Sequence, residues 1–270
     1  MLFEKMHVWT YLGATNRSTE GTDAECRIKI RPDMCYSHGL RAALLGSAIE
    51  FGTIRCVSDA GGIVVDLTYH VRDNAEVSEA LVYGKLVRKG RSTSVTEGRV
   101  VDAADGRTIA YGTVSWVIPP MPAPAADGTP SPEPWRPDFS ASTPAEGTAL
   151  PSLLDAMGVY RLPGSPQHQI DKVRPEIAGG DWKSLHASVQ QVMFDATTMA
   201  VASDHFGTDA VATRDVTLRM VTAGRVGPFV SEPTLLHASD HDVTCRVAIV
   251  DKGADDRVIA IGSTRAERLG

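Results

Sequence analysis

Ser37-His38-Gly39-Leu40-Arg41-Ala42-Ala43-Leu44-Leu45-Gly46-Ser47-Ala48-Ile49-Glu50-Phe51-Gly52 reads as a helix of about four turns. Its apolar residues, among them Leu40, Leu44, Leu45, Ile49 and Phe51, occupy most of the circumference. A helix of that kind is buried on nearly all sides. Ser37 is the expected N-cap and Gly52 the expected stop. Strand-like runs follow at 63–71, 78–88, 92–102 and 107–117, with Asp105-Gly106 as a hairpin turn between the last two. Upstream, Glu25 to Arg31 alternates and is closed by Pro32. A buried helix followed by meandering strands predicts a sheet curled around one helix.

The chain of 270 residues allows one large domain or two ordinary ones, and 43% hydrophobic residues suffice for a real core. A net charge of −6 argues against a general nucleic-acid partner. The cysteines Cys26, Cys35, Cys56 and Cys245 show neither a CxxC nor a metal-ligand spacing, so they read as reduced thiols in a cytoplasmic protein. Met1 to Thr15 makes a poor signal peptide, and no run approaches the roughly 18 apolar residues of a membrane span. The segment 119–151 holds ten of the sixteen prolines and reads as a linker between residues 1–118 and 152–270.

The second half repeats the first. Arg31-Pro32-Asp33-Met34 matches Arg174-Pro175-Glu176-Ile177, and His38 matches His186 at the head of a second apolar helix. Asp66 to Val71 matches Asp215 to Met220, and Gly106 to Gly112 matches Asp256 to Gly262. The separations agree: His38 to Asp66 is 28 positions, and His186 to Asp215 is 29. Two copies of one strand–helix–strands unit are therefore expected.

With His38-Gly39 at the helix opening, Val65-Asp66-Leu67 on the next strand and Gly90-Arg91-Ser92-Thr93 at a later turn, the chain resembles the hotdog-fold acyl-CoA thioesterases of the phenylacetate-pathway type. The resemblance covers about 25–117 closely and about 168–268 more loosely. It implies an α+β double hotdog, two antiparallel sheets each wrapped around a central apolar helix. It implies hydrolysis of an acyl-CoA thioester, with coenzyme A present only as part of the substrate and no metal or redox cofactor. Homo-oligomers are common for this architecture.

In that family one unit's helix start polarises the thioester carbonyl and the other unit's helix supplies a carboxylate, at the tenth position counted from the His. A helix start offers unpaired N–H groups and a positive dipole end, suited to a developing oxyanion. Counted from His186 the tenth residue is Asp195; counted from His38 it is Ser47. The resemblance thus implies one working site, pairing the Gly39 N–H with Asp195 as base or nucleophile, and one degenerate site. Gln191, Asp195 and Thr198 share one helix face at i, i+4 and i+7, and an acid on a buried face is costly unless satisfied.

His38 is expected to order the loop around Gly39 or to take part in catalysis, and Thr213 to help hold the attacking water. Arg88, Lys89 and Arg91 are candidates for the phosphates of coenzyme A. Glu50 reads as a solvated residue near a helix end, and His168, His205, His237 and His241 as surface histidines. Two alternatives stay open: a non-catalytic acyl-CoA or lipid-binding module, and a hotdog hydratase or dehydratase.

Overall fold

The Arg-Pro-acid repeat folds the same way twice. Arg31 (φ −116°, ψ 155°) and Arg174 (φ −119°, ψ 157°) hold the extended backbone favoured before proline, and each leads into a 3-10 turn, Pro32–Met34 and Pro175–Ile177. The computed structural model describes residues 8–20, 23–57, 62–73, 77–118, 150–179 and 183–270. The expected linker lies outside these, except for its last two residues.

The first half contains α1 (Val8–Leu12), β1 (Thr15–Glu20), β2 (Asp23–Lys29), a small hairpin of β3 (Cys35–Tyr36) and β4 (Gly39–Leu40), then α2 (Ala42–Ile54). Four long strands follow: β5 (Ile63–Val71), β6 (Glu79–Lys89), β7 (Thr93–Asp102) and β8 (Thr108–Val117). The second half repeats the plan with α3 (Leu153–Met157), β9 (Tyr160–Arg161), β10 (His168–Ile170) and α4 (Ala187–Phe206). It ends in β11 (Val211–Met220), β12 (Phe229–Ala238), β13 (Asp242–Asp251) and β14 (Arg257–Arg268).

All thirteen residues of α2 are buried, as its nearly unbroken apolar surface requires. The sheet makes room for it with glycine. Gly84 and Gly98 are cross-strand partners; a Cβ on Gly84 would come within 2.6 Å of the Gly52 carbonyl oxygen, and one on Gly98 within 2.8 Å of Ile49.

The two sheets join edge to edge. β5 pairs antiparallel with β11, giving one twelve-stranded sheet in the order β1-β2-β6-β7-β8-β5-β11-β14-β13-β12-β10-β9. The seam is symmetric about the Thr68↔Thr217 pair. On one side His70 Nδ1 meets Asp215 Oδ1 at 2.6 Å, and on the other Arg219 Nε faces Asp66 Oδ1 at 3.6 Å.

The helix boundaries differ from expectation. α2 opens at Ala42 with Arg41 in the cap position, and Arg41 makes no side-chain cap bond. Ser37, His38 and Gly39 precede it in the β3–β4 hairpin, where Gly39 takes φ 131°, a conformation that favours glycine. The glycine that resembled a helix start reverses the chain before the helix. Gly52 does not stop α2, which runs on to Ile54. An interior glycine costs about 1 kcal/mol, which the burial of Phe51 and Ile54 offsets. His168, expected at the surface, is buried, and burial pushes its imidazole down to about 4.

Candidate active site

α2 and α4 pack antiparallel, so the opening of each lies against the tenth residue of the other. Counting each cap as one, Arg41 leads to Glu50 and His186 leads to Asp195. Both acids are buried, Glu50 at 2% exposure and Asp195 at 1%.

Asp195 faces the first turn of α2. Arg41 Nη1 is 3.6 Å from its Oδ2. Burial holds the carboxyl above the ordinary aspartate range, while Arg41, the Thr213 hydroxyl and the Ala43 amide pull the other way without reversing it. Neither carboxylate oxygen has a partner at hydrogen-bonding geometry, and the same holds for Thr213 Oγ1, Tyr69 OH and Gln191 Oε1. Burial, and then the charge of Asp195, hold the Tyr69 phenol well above its ordinary value, so it stays a proton donor. Arg41 is 15% exposed; its guanidinium carbon lies 5.9 Å from the Tyr36 ring centroid, and Nη1 lies 3.7 Å from Met199 Sδ.

Glu50 faces the first turn of α4, and its surroundings are closed. Ser188 Oγ donates to Glu50 Oε2 at 2.8 Å and Gln191 Nε2 at 2.7 Å. His186 Nδ1 accepts the Ser188 N–H at 3.0 Å, capping α4, and lies 3.9 Å from Glu50 Oε1. The Trp9 ring packs edge-on against His186 at 4.9 Å. Burial pushes Glu50 up to about 8, against the pull of the Ser188 and Gln191 bonds. At neutral pH most of it carries its proton.

No family model and no curated protein matches the sequence. Solved structures match along nearly its whole length. A thioesterase II candidate from Thermobifida fusca YX is 16% identical with TM-score 0.63, covering 98% of both chains. A conserved hot dog fold protein of unknown function from Alicyclobacillus acidocaldarius is 12% identical with TM-score 0.62, covering 98% of this chain and 99% of that one. The fold is a double hotdog. An acyl-CoA thioesterase II, TesB2, from Mycobacterium marinum shares it at 15% identity and TM-score 0.58, covering 97% of each chain.

Within the double hotdog the expected site residues separate into groups. Asp195 and Thr213 come together at the α2 opening, while Gln191 lies against Gly46 further along α2 and donates to Glu50. Thr198 does not join them: its hydroxyl donates to the Phe194 carbonyl at 2.7 Å and shares a 2.6 Å bond with Thr264. His38 turns away, with Nε2 3.6 Å from Asp209 Oδ1. The backbone N–H that faces Asp195 belongs to Ala43 rather than Gly39. Arg88, Lys89 and Arg91 are exposed around the β6–β7 turn.

Ser47 is not the counterpart of Asp195, and the half expected to lack an acid carries Glu50, which is buried rather than solvated. Matching His38 to His186 had displaced the register by three residues. Counting back ten from Glu50 reaches Arg41, and that signal was present in the sequence. Beyond that count Arg41 carried no mark, because an arginine is a poor cap, and Tyr69 carried none, because a strand tyrosine is an ordinary core residue.

Proposed function

We propose that this protein hydrolyses an acyl-CoA thioester, with Asp195 as general base. One observation carries the reading: a buried carboxylate whose oxygens make no hydrogen bond of close geometry, set against the opening turn of the opposite helix. Such a turn supplies N–H groups and a positive dipole end to a carbonyl oxygen gaining charge. Asp195 removes a proton from water, the water oxygen adds to the carbonyl carbon, the C–S bond breaks, and the thiolate recovers the proton. Arg41 draws the raised Asp195 carboxyl back toward its ordinary range and so favours the ionised form. The thioesterase names of the structural neighbours agree with this chemistry. The basic residues Arg88, Lys89 and Arg91 would meet the phosphates of coenzyme A.

With Asp195 only 1% exposed, the second reading is a module that binds an acyl thioester without cleaving it. Thiol release from a panel of acyl-CoAs, measured beside binding of the same ligands, separates the two. Turnover that depends on Asp195 supports hydrolysis. Saturable binding without thiol release supports the module.

A further inference from the structure

The buried polar atoms left without partners around Asp195 point to a residue that no sequence motif marked. Asp195 Oδ1 and Oδ2, Thr213 Oγ1, Tyr69 OH and Gln191 Oε1 are buried and unpartnered. They belong to three elements meeting at one place. Asp195 and Gln191 share a face of α4, and Thr213 stands on β11 beside the carboxylate. Tyr69 comes from β5 and passes Gly46 of α2, where a Cβ would fall 2.4 Å from the Tyr69 ring and 2.3 Å from Gln191 Oε1. Only a residue without a side chain lets the phenol and the amide approach α2 together. Around the equivalent acid of α2, Glu50 Oε2 already receives two hydrogen bonds.

The donor and acceptor count restricts what completes this cluster. Three of the atoms are oxygens that accept, and two are hydroxyls with one proton each to give. A thioester carbonyl only accepts, so it would pair with the hydroxyls and leave the carboxylate and the amide oxygen unpaired. A water molecule gives two hydrogens and takes two. Leaving a buried acceptor unpaired costs about 1–3 kcal/mol, which favours the ligand that satisfies both kinds.

We propose that Tyr69 is a further catalytic residue: its hydroxyl, with that of Thr213, donates to the oxygen of the water that Asp195 deprotonates, while Gln191 Oε1 accepts the second hydrogen of that water. The inference rests on the hydrolytic reading. Burial beside an acid keeps Tyr69 protonated and able to donate throughout the working range. Among the described residues, Arg41 and Asp195 face this position from α2 and α4, and Glu50 of α2 reaches it through Gln191.

The test is Tyr69→Phe, which keeps the ring and removes the hydroxyl, assayed by thiol release from the acyl-CoA that the wild type turns over. The expected result is a loss in kcat of about ten- to hundredfold, with KM within about twofold and an unchanged or higher Tm. Wild-type kcat in Y69F overturns the proposal and leaves the hydrolytic reading standing. A wild type that turns over no acyl-CoA overturns both. Should Y69F fail to fold, difluorotyrosine at position 69 keeps the shape and acidifies the phenol. A basic limb of the kcat–pH profile that descends at lower pH then supports the proposal, and an unchanged profile overturns it.

Discussion

Asp195 and Glu50 occupy equivalent places in two copies of one fold, yet their surroundings have opposite character. Each is the tenth residue of its helix counted from the cap, each is buried, and each faces the opening turn of the other helix. Glu50 takes two hydrogen bonds from α4, and Trp9 packs on the neighbouring His186. Asp195 has a guanidinium at 3.6 Å and unpartnered oxygens. An acid whose hydrogen bonds are satisfied by its own chain serves as a clamp between helices. An acid left unsatisfied holds chemical potential for a ligand. The difference arises at few positions: Ser188 stands where α2 has Ala43, and Gln191 where α2 has Gly46.

The largest effect should come from exchanging the acids one at a time. D195N is expected to lower kcat for thioester hydrolysis by about a thousandfold, while E50Q stays within about threefold. Steady-state thiol release decides it, and equal losses would break the contrast between the two acids. Next, Arg41→Met removes the charge that favours ionised Asp195. The acid limb of kcat/KM should move to higher pH, with a loss on the order of tenfold at neutral pH.

Stability should separate the two acids in another way. Glu50 is held at about 8 when folded, above its value in the unfolded chain. Between the two values the folded state binds the extra proton, so this contribution is fully present at low pH and is lost as pH rises toward 8. The wild-type Tm should therefore fall between pH 5 and 8, and E50Q should flatten much of that slope. An unaltered slope would mean that Glu50 is not the group responsible. The smallest effect concerns the glycine that lets Tyr69 and Gln191 meet α2. Gly46→Ala should destabilise by about 1–3 kcal/mol in urea unfolding, because a Cβ has no room beside them.

Much of the architecture was legible because it rests on local signals. Strand β5 falls at 63–71 as expected, and β6, β7 and β8 begin and end within a residue or so of the expected bounds. The Arg-Pro-acid turns repeat almost angle for angle. The helix opening was not legible, since His38-Gly39 resembles a helix start in letters while Gly39 serves a hairpin in φ. That displacement of three residues hid the equivalence of Glu50 and Asp195. It also assigned the helix-opening amide to Gly39, although Ala43 faces the acid.

The sequence by itself determined two copies of a helix-and-meander unit, because hydrophobic periodicity and proline turns act over a few neighbouring residues. It also placed an acid on the buried face of the second helix. Only the tertiary structure decided which amide and which cation meet that acid, and that its counterpart in the first half is already satisfied. Those facts depend on side chains brought together from α2, α4, β5 and β11, and no spacing along the chain specifies how two helices cross.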